Sequence, residues 1–325
     1  MRKWITFLMT LLVGSTVSYS DANAGQVSLE AGYRHDNISW RQRFPSNDPL
    51  FRGEQKFKNL DIFQIGVNGR TTLGCNLYVR GDAYWGWILD GCFRDKETVR
   101  TFDEDYYYSY SDDCGCGGQD GRLFYSRSLV DDKYVYGING AIGYPFFFCD
   151  CSAVLAPVIG YSFDEQNVRV NDRGFNFCNN EDGCCHQPFV SRWYGPFVGV
   201  DLNYRPNNEC WSLFAEIEYH WGQFTGRSRG NNDAFGRDHL RAKNARSWVC
   251  SIGADYDICD CWTVGFSLKF QDWTASKHHR GTLNSDILEL TNVDTYANSG
   301  GCCDRSASSY KWHSYAINLT VGHHF

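Results

Sequence analysis

Taken two residues at a time, the chain sorts repeatedly into an apolar and a polar face. In residues 310–325, Tyr315, Ile317, Leu319, Val321 and Phe325 share one side, and Ser314, Ala316, Asn318, Thr320 and Gly322 share the other. Side chains alternate across a strand, so this period marks strands whose two faces meet unlike surroundings. Nine earlier stretches repeat it. Val27, Leu29, Ala31 and Tyr33 oppose Ser28, Glu30, Gly32 and Arg34 in the first strand; Ile217, Tyr219 and Trp221 oppose Glu216, Glu218 and His220 in the seventh. Val158 falls off the pattern of the fifth.

The connections alternate in length. Residues 71–74, 148–151, 206–210 and 259–261 read as tight turns; residues 37–57, 91–133, 167–190, 227–246 and 278–309 read as long loops. Ten strands with both ends on the short-turn side predict an all-β fold: a transmembrane antiparallel up-and-down β-barrel with tight periplasmic turns and long extracellular loops. Residues 97–110 and 121–130 are expected as a hairpin inside the second loop, because Phe102, Tyr106 and Tyr108 share a face with Arg100 and Glu104. Counted as strands they would make twelve.

A soluble barrel with its apolar face inside would alternate equally well. Aromatic residues closing the apolar stripes, Trp211 with Trp221 and Trp248 with Tyr256, favour a bilayer, whose two interfaces select such girdles. The polar face is then the lumen. It carries Glu30, Arg34, Arg70, Arg80, Asp82 and Asp201, and further along Arg205, Glu216, Glu218, His220, Asp255 and Lys269. These are the candidate pore-lining residues, and a water-filled path between charged walls would pass small solutes or ions. The opposite reading is a salt-bridged plug, since a barrel of about eight to ten strands is narrow enough for side chains to fill.

Composition agrees with β structure: 32 Gly, 20 Tyr, 22 Phe and 11 Trp against 2 Met. Arg2 and Lys3, an apolar run over 4–17 and Ala22-Asn23-Ala24 read as a secretory signal peptide over 1–24, leaving a single barrel domain, 25–325. Its loss takes the formal charge from −7 to −8, which argues against nucleic acid as a partner. No later run of 18 apolar residues predicts a spanning helix.

The fifteen cysteines suit an oxidising compartment. Cys75, Cys149, Cys151, Cys210, Cys259 and Cys261 sit at the short turns. Cys92, Cys114, Cys116, Cys178, Cys184, Cys185, Cys302 and Cys303 sit in the long loops, and Cys250 alone lies within a strand. The first fourteen are disulfide candidates, within the chain or, given the odd total, to neighbouring envelope proteins. Cys184-Cys185-His186 lacks the paired spacing of a zinc site. No phosphate-binding glycine loop or Ser/His/Asp set stands out, so neither cofactor, metal nor enzymatic activity is expected.

Gly32-Tyr-Arg-His-Asp36, Asn59-Leu-Asp-Ile-Phe-Gln-Ile-Gly66 and Arg80-Gly-Asp-Ala-Tyr-Trp-Gly-Trp87, with cysteines at the barrel ends, resemble the Protochlamydia outer membrane protein family. The resemblance implies a pore-forming or structural role in a cysteine-rich, disulfide-linked bacterial outer membrane. The C-terminal pattern ending at Phe325 resembles the signal of outer-membrane barrels, which implies contact with the barrel assembly machinery and with outer-membrane lipid. Ten strands under tall loops also resemble the omptin proteases, but no Asp-x-Asp pair follows the third strand and Asp238-His239 are adjacent, a spacing that puts them on opposite strand faces.

Overall fold

The structure, a computed structural model, describes residues 25–44, 50–73, 77–100, 122–149, 152–172, 185–206, 209–228, 239–259, 261–280 and 305–325. The segment 1–24 and the loop tips, with the Tyr-rich stretch 106–110, lie outside them.

The elements are all strands: β1 (Gln26–Phe44), β2 (Leu50–Leu73), β3 (Leu77–Arg100), β4 (Arg122–Gly143), β5 (Phe146–Phe148), β6 (Ala153–Asp172), β7 (Cys185–Tyr204), β8 (Trp211–Ser228), β9 (His239–Cys259), β10 (Trp262–Arg280) and β11 (Arg305–His324). Pairing is antiparallel between chain neighbours, and β1 with β11 completes the circle. β5 pairs with β6 in the register β4 already keeps, so β4 and β5 are one stave interrupted at Tyr144-Pro145. The cylinder therefore has ten staves. At the seam, Gly25 N–H donates to the Phe325 carbonyl at 3.1 Å, and Phe325 N–H donates back at 3.0 Å.

The apolar face points outward. Leu319, Ile217 and Phe266 are 71%, 53% and 50% exposed. A ring of aromatics marks the upper edge of this band, aligned by register as Tyr33, Phe63, Trp87 and Tyr134 on four successive staves. Trp85 stacks on Tyr134 at 4.6 Å, and Tyr219 meets Trp248 at 5.0 Å. Trp211, Tyr256 and Trp262 hold the lower edge. Two girdles around an apolar belt are what a bilayer demands.

The bounds of the long loops are corrected. β1 runs on to Phe44 and β2 begins at Leu50, while Cys92–Thr98 of β3 pair with residues 122–129 of β4. Residues 38–44, 50–57, 92–100, 122–133, 167–172, 185–190, 239–246 and 305–309, placed in loops by the sequence, are the upper parts of strands that continue above the girdle; the loop tips between them lie outside the described residues. Of the candidate extra strands, residues 97–100 lengthen β3 and residues 122–130 lengthen β4, adding no stave, while residues 101–110 lie outside the described residues. The reason is a reversal of polarity without a change of face. On β1 the inward positions run Ser28, Glu30, Arg34, Asp36, then Ile38 and Trp40. Above the bilayer the outside is water, so apolar side chains gain by turning inward. Register shifts at Asp36/Ile38, Asp131/Tyr134 and Gly222/Phe224 lie close to this level, and Asn59, with φ 53°, kinks β2 there while its N–H donates to Asn37 Oδ1 at 3.2 Å. Bulges of this kind re-aim side chains at barrel rims.

Candidate functional site

The lumen has two storeys. The lower one, at membrane depth, is a water-accessible chamber of about 80 Å³ walled by charged and amide side chains. Arg80 sits in its wall with Asp201 at 2.7 Å, Glu216 at 3.2 Å and Glu218 in close contact. Lys269 reaches Asp82 at 3.0 Å, and Arg70 reaches Asp255 at 3.0 Å while holding Gln26. Glu30 has Asn68 at 3.5 Å. Gln64, Asn318 and Ser267 form a hydrogen-bonded ladder across three staves. Charges withdrawn from bulk water need partners, and each of these cations has a carboxylate, Arg80 having three.

Arg34 forms the floor between storeys. Its guanidinium grips Asp36 with two bonds of 2.8 and 2.7 Å and lies over the Tyr84 and Trp312 rings at 5.0 and 5.1 Å. Gln166 donates to the same carboxylate at 3.1 Å and accepts from Ser191 at 2.6 Å.

The upper storey is a dry core. Trp193, Trp273, Trp312, Tyr310, Phe57 and Phe224 are among its fully buried members. The Trp193 ring lies 4.4 Å from Phe224 and 5.6 Å from Trp273, and Trp273 stacks on Trp312 at 6.3 Å. A second aromatic group, Trp40, Phe57, Phe93 and Phe189, closes the side under β1 to β3. Below, Val158, off the apolar pattern in sequence, points inward and packs with Ala156, Phe197 and Tyr78. A Cβ on Gly160 would stand 2.3 Å from the Phe197 ring, so that ring needs the glycine.

Of the sequence-derived lining residues, eleven face the lumen: Glu30, Arg70, Arg80, Asp82, Asp201, Glu216, Asp255 and Lys269 at the chamber, Glu218 and His220 just above it, and Arg34 at the floor of the core. Arg205 does not join them. Half its side chain is exposed at the short-turn rim, paired with Asp257. Sequence reasoning passed over Ser162, Asp164, Tyr84 and Gln166. The structure brings Ser162 to His220, and Tyr84 to Asp164 at 2.6 Å.

Cys149, Cys210, Cys259 and Cys261 are exposed thiols at the short-turn end, and Cys250 is a thiol on the apolar face. Cys92 Sγ lies 3.8 Å from the Phe93 carbonyl. Cys75, Cys114, Cys116, Cys151, Cys178, Cys184, Cys302 and Cys303 lie outside the described residues, as do Asp238 and the side chains of Cys185 and His239. Among the described residues no group of three or more His, Cys, Asp or Glu could hold a metal ion.

Comparison with known proteins agrees with this architecture. The family model for the Protochlamydia outer membrane protein matches residues 28–325. The chain belongs to that family. It is an outer-membrane protein, and its staves cross the bilayer. No curated protein matches it. Among solved structures, the outer membrane protease OmpT from Escherichia coli shares 13% identity over 96% of this chain and 99% of its own, with a TM-score of 0.55, a likeness of fold. OprG from Pseudomonas aeruginosa, at 9% identity over 93% and 97% and a TM-score of 0.32, overlaps too loosely to inform function.

Proposed function

We propose that this family member is a closed outer-membrane barrel with a mechanical role. It stands a tall β tower on the cell surface and stiffens the envelope, without passing solutes along its axis. The observation that carries this reading is the aromatic core directly above the charged chamber. Permeation of ions or hydrophilic solutes requires a wet path, and packed Trp and Phe rings exclude water. The carboxylates and guanidinium groups beneath then fill and brace the cylinder. Exposed thiols at the short-turn end support covalent attachment to neighbouring envelope proteins. Purified full-length protein in planar bilayers is expected to give no discrete conductance steps. Non-reducing gels of intact envelopes are expected to show high-mass species that collapse to monomer on reduction. A monomer band in both lanes would remove the attachment.

One observation favours a second reading, a porin for small solutes or ions. The chamber's charged walls and water-accessible volume would suit ions entering from the short-turn end. Reproducible single-channel steps from the unaltered protein would establish that reading and overturn the first.

A further inference from the structure

Between the chamber and the aromatic core lies an arrangement that neither a brace nor a pore requires. His220, on β8, is 1% exposed. Its Nδ1 stands 3.0 Å from Ser162 Oγ, on β6. Its Nε2 stands 2.6 Å from Glu218 Oε2, two residues earlier on the same inward face. The carboxylate accepts from Nε2–H, which leaves Nδ1 as the acceptor for the serine hydroxyl. Ser162 and Glu218 are 3% and 2% exposed. The imidazole is clamped between the Phe197 ring, stacked at 4.6 Å, and Trp273 at 5.1 Å. Glu218 is held in turn by Arg80 and, at 3.4 Å, by Asn139 Nδ2. Nucleophile, base and orienting acid are thus fixed in one chain of contacts, the relation by which an activated serine is recognised on unrelated folds.

We infer that Ser162, His220 and Glu218 form a nucleophilic centre for short acyl esters that enter from the short-turn end. This goes beyond the mechanical role and revises the expectation that the chain lacks chemistry. Access is through the chamber. The hollow around Ser162 and His220 shares Asp82, Tyr84, Lys269 and Gln271 with the chamber wall. Arg70, part-exposed at the chamber's lower edge, marks where solvent reaches it. The dry core above confines entry to that side, and the hollow beside Ser162, about 10 Å³, restricts the acyl group to the smallest, with the leaving group lying in the chamber. Lys269 and Asn139 line the same hollow and supply N–H donors for a developing oxyanion.

In the reaction, Ser162 Oγ bonds the carbonyl carbon as its proton passes to His220 Nδ1. The ester C–O bond breaks, and the leaving alkoxide takes that proton. Water then gives a proton to the same nitrogen and adds to the acyl carbon. The short acid departs as Ser162 regains its hydrogen. Glu218 is a positioning residue: it fixes the tautomer and stabilises the transient imidazolium.

The test uses methanesulfonyl fluoride on the full refolded chain in detergent, with peptide mass spectrometry. Ser162 Oγ would bond sulfur, the S–F bond would break, and fluoride would leave with the serine proton accepted by His220. The expected result is a methylsulfonyl adduct on Ser162, formed roughly a hundredfold more slowly in His220→Gln. Hydrolysis of a short aryl acetate is expected to fall in the same ratio in Ser162→Ala. If Ser162→Ala does not fold, as judged by heat-modifiable gel mobility, Ser162→Cys supplies the reading. Its thiol should react with methyl methanethiosulfonate faster than the same thiol beside His220→Gln. No adduct on Ser162 in folded protein, or equal rates with and without His220, would overturn the proposal.

Discussion

Ser314 and Trp312 are two residues apart on the inner face of β11, yet they serve different solvents. Ser314 belongs to the polar lower storey, Trp312 to the dry core. What separates them is the far side of the wall. Below the girdle the outer face meets hydrocarbon, so apolar groups gain nothing by turning in, and the interior receives what lipid rejects. Above it the outer face meets water, and the ordinary hydrophobic effect draws Trp and Phe to the centre. The lower half is held by its closed backbone ladder and by ion pairs, the upper half by packing.

This contrast can be broken at either level. Trp312→Ala or Trp193→Ala should cost about 3–5 kcal/mol, read as a lowered urea midpoint of the refolded barrel. Reducing Trp193, Trp273 and Trp312 together to Ala should also produce conductance steps absent from the parent. Folded triple mutant without conductance would mean that the lower storey blocks the lumen by itself. Arg80→Met should cost about 3–5 kcal/mol, since it strands Asp201, Glu216 and Glu218 without their cation. Neutralising all three as Asn or Gln in the same chain should restore most of that loss.

The outer face gives a smaller effect with a built-in control. Leu319→Arg, at membrane depth on β11, should cost about 2–4 kcal/mol, whereas Lys311→Leu, on the same face above the girdle, should stay within about 0.5 kcal/mol. Equal costs would move the membrane boundary. The smallest effect concerns Glu54 on the tower. Burial pushes its carboxyl up, but Lys56 and Arg41 more than offset this, and the net shift is downward. A depressed carboxyl stabilises above its ordinary range and loses that contribution as pH falls through it. Wild type should therefore lose about 0.5 kcal/mol more than Glu54→Gln between pH 7 and pH 3, by urea midpoints at the two pH values.

The lower storey was legible in the sequence because lipid outside and charge inside give unlike residues at alternate positions. Glu216, Glu218 and His220 were placed in the lumen on that ground alone. The upper storey was missed for a physical reason. Tyr310, Lys311, Trp312 and His313 still alternate, but with the sign reversed, and a search for outward apolar stripes reads reversal as an end. Ile38 and Trp40 on β1 carry the same hidden continuation. Ser162 escaped notice because its partner lies 58 residues away on a stave that is not its neighbour, a closeness set by curvature and tilt. Arg205 was misplaced because alternation gives a face and no height, and its height is the rim.

The clasp between Gly25 and Phe325 joins the first and last residues of the described wall. The cylinder has no seal until β11 has paired with β1, so a product lacking that last stave would present two unpaired edges to proteases. Closure of the wall thus waits on the pairing of two strands nearly three hundred residues apart, before any role at the surface begins.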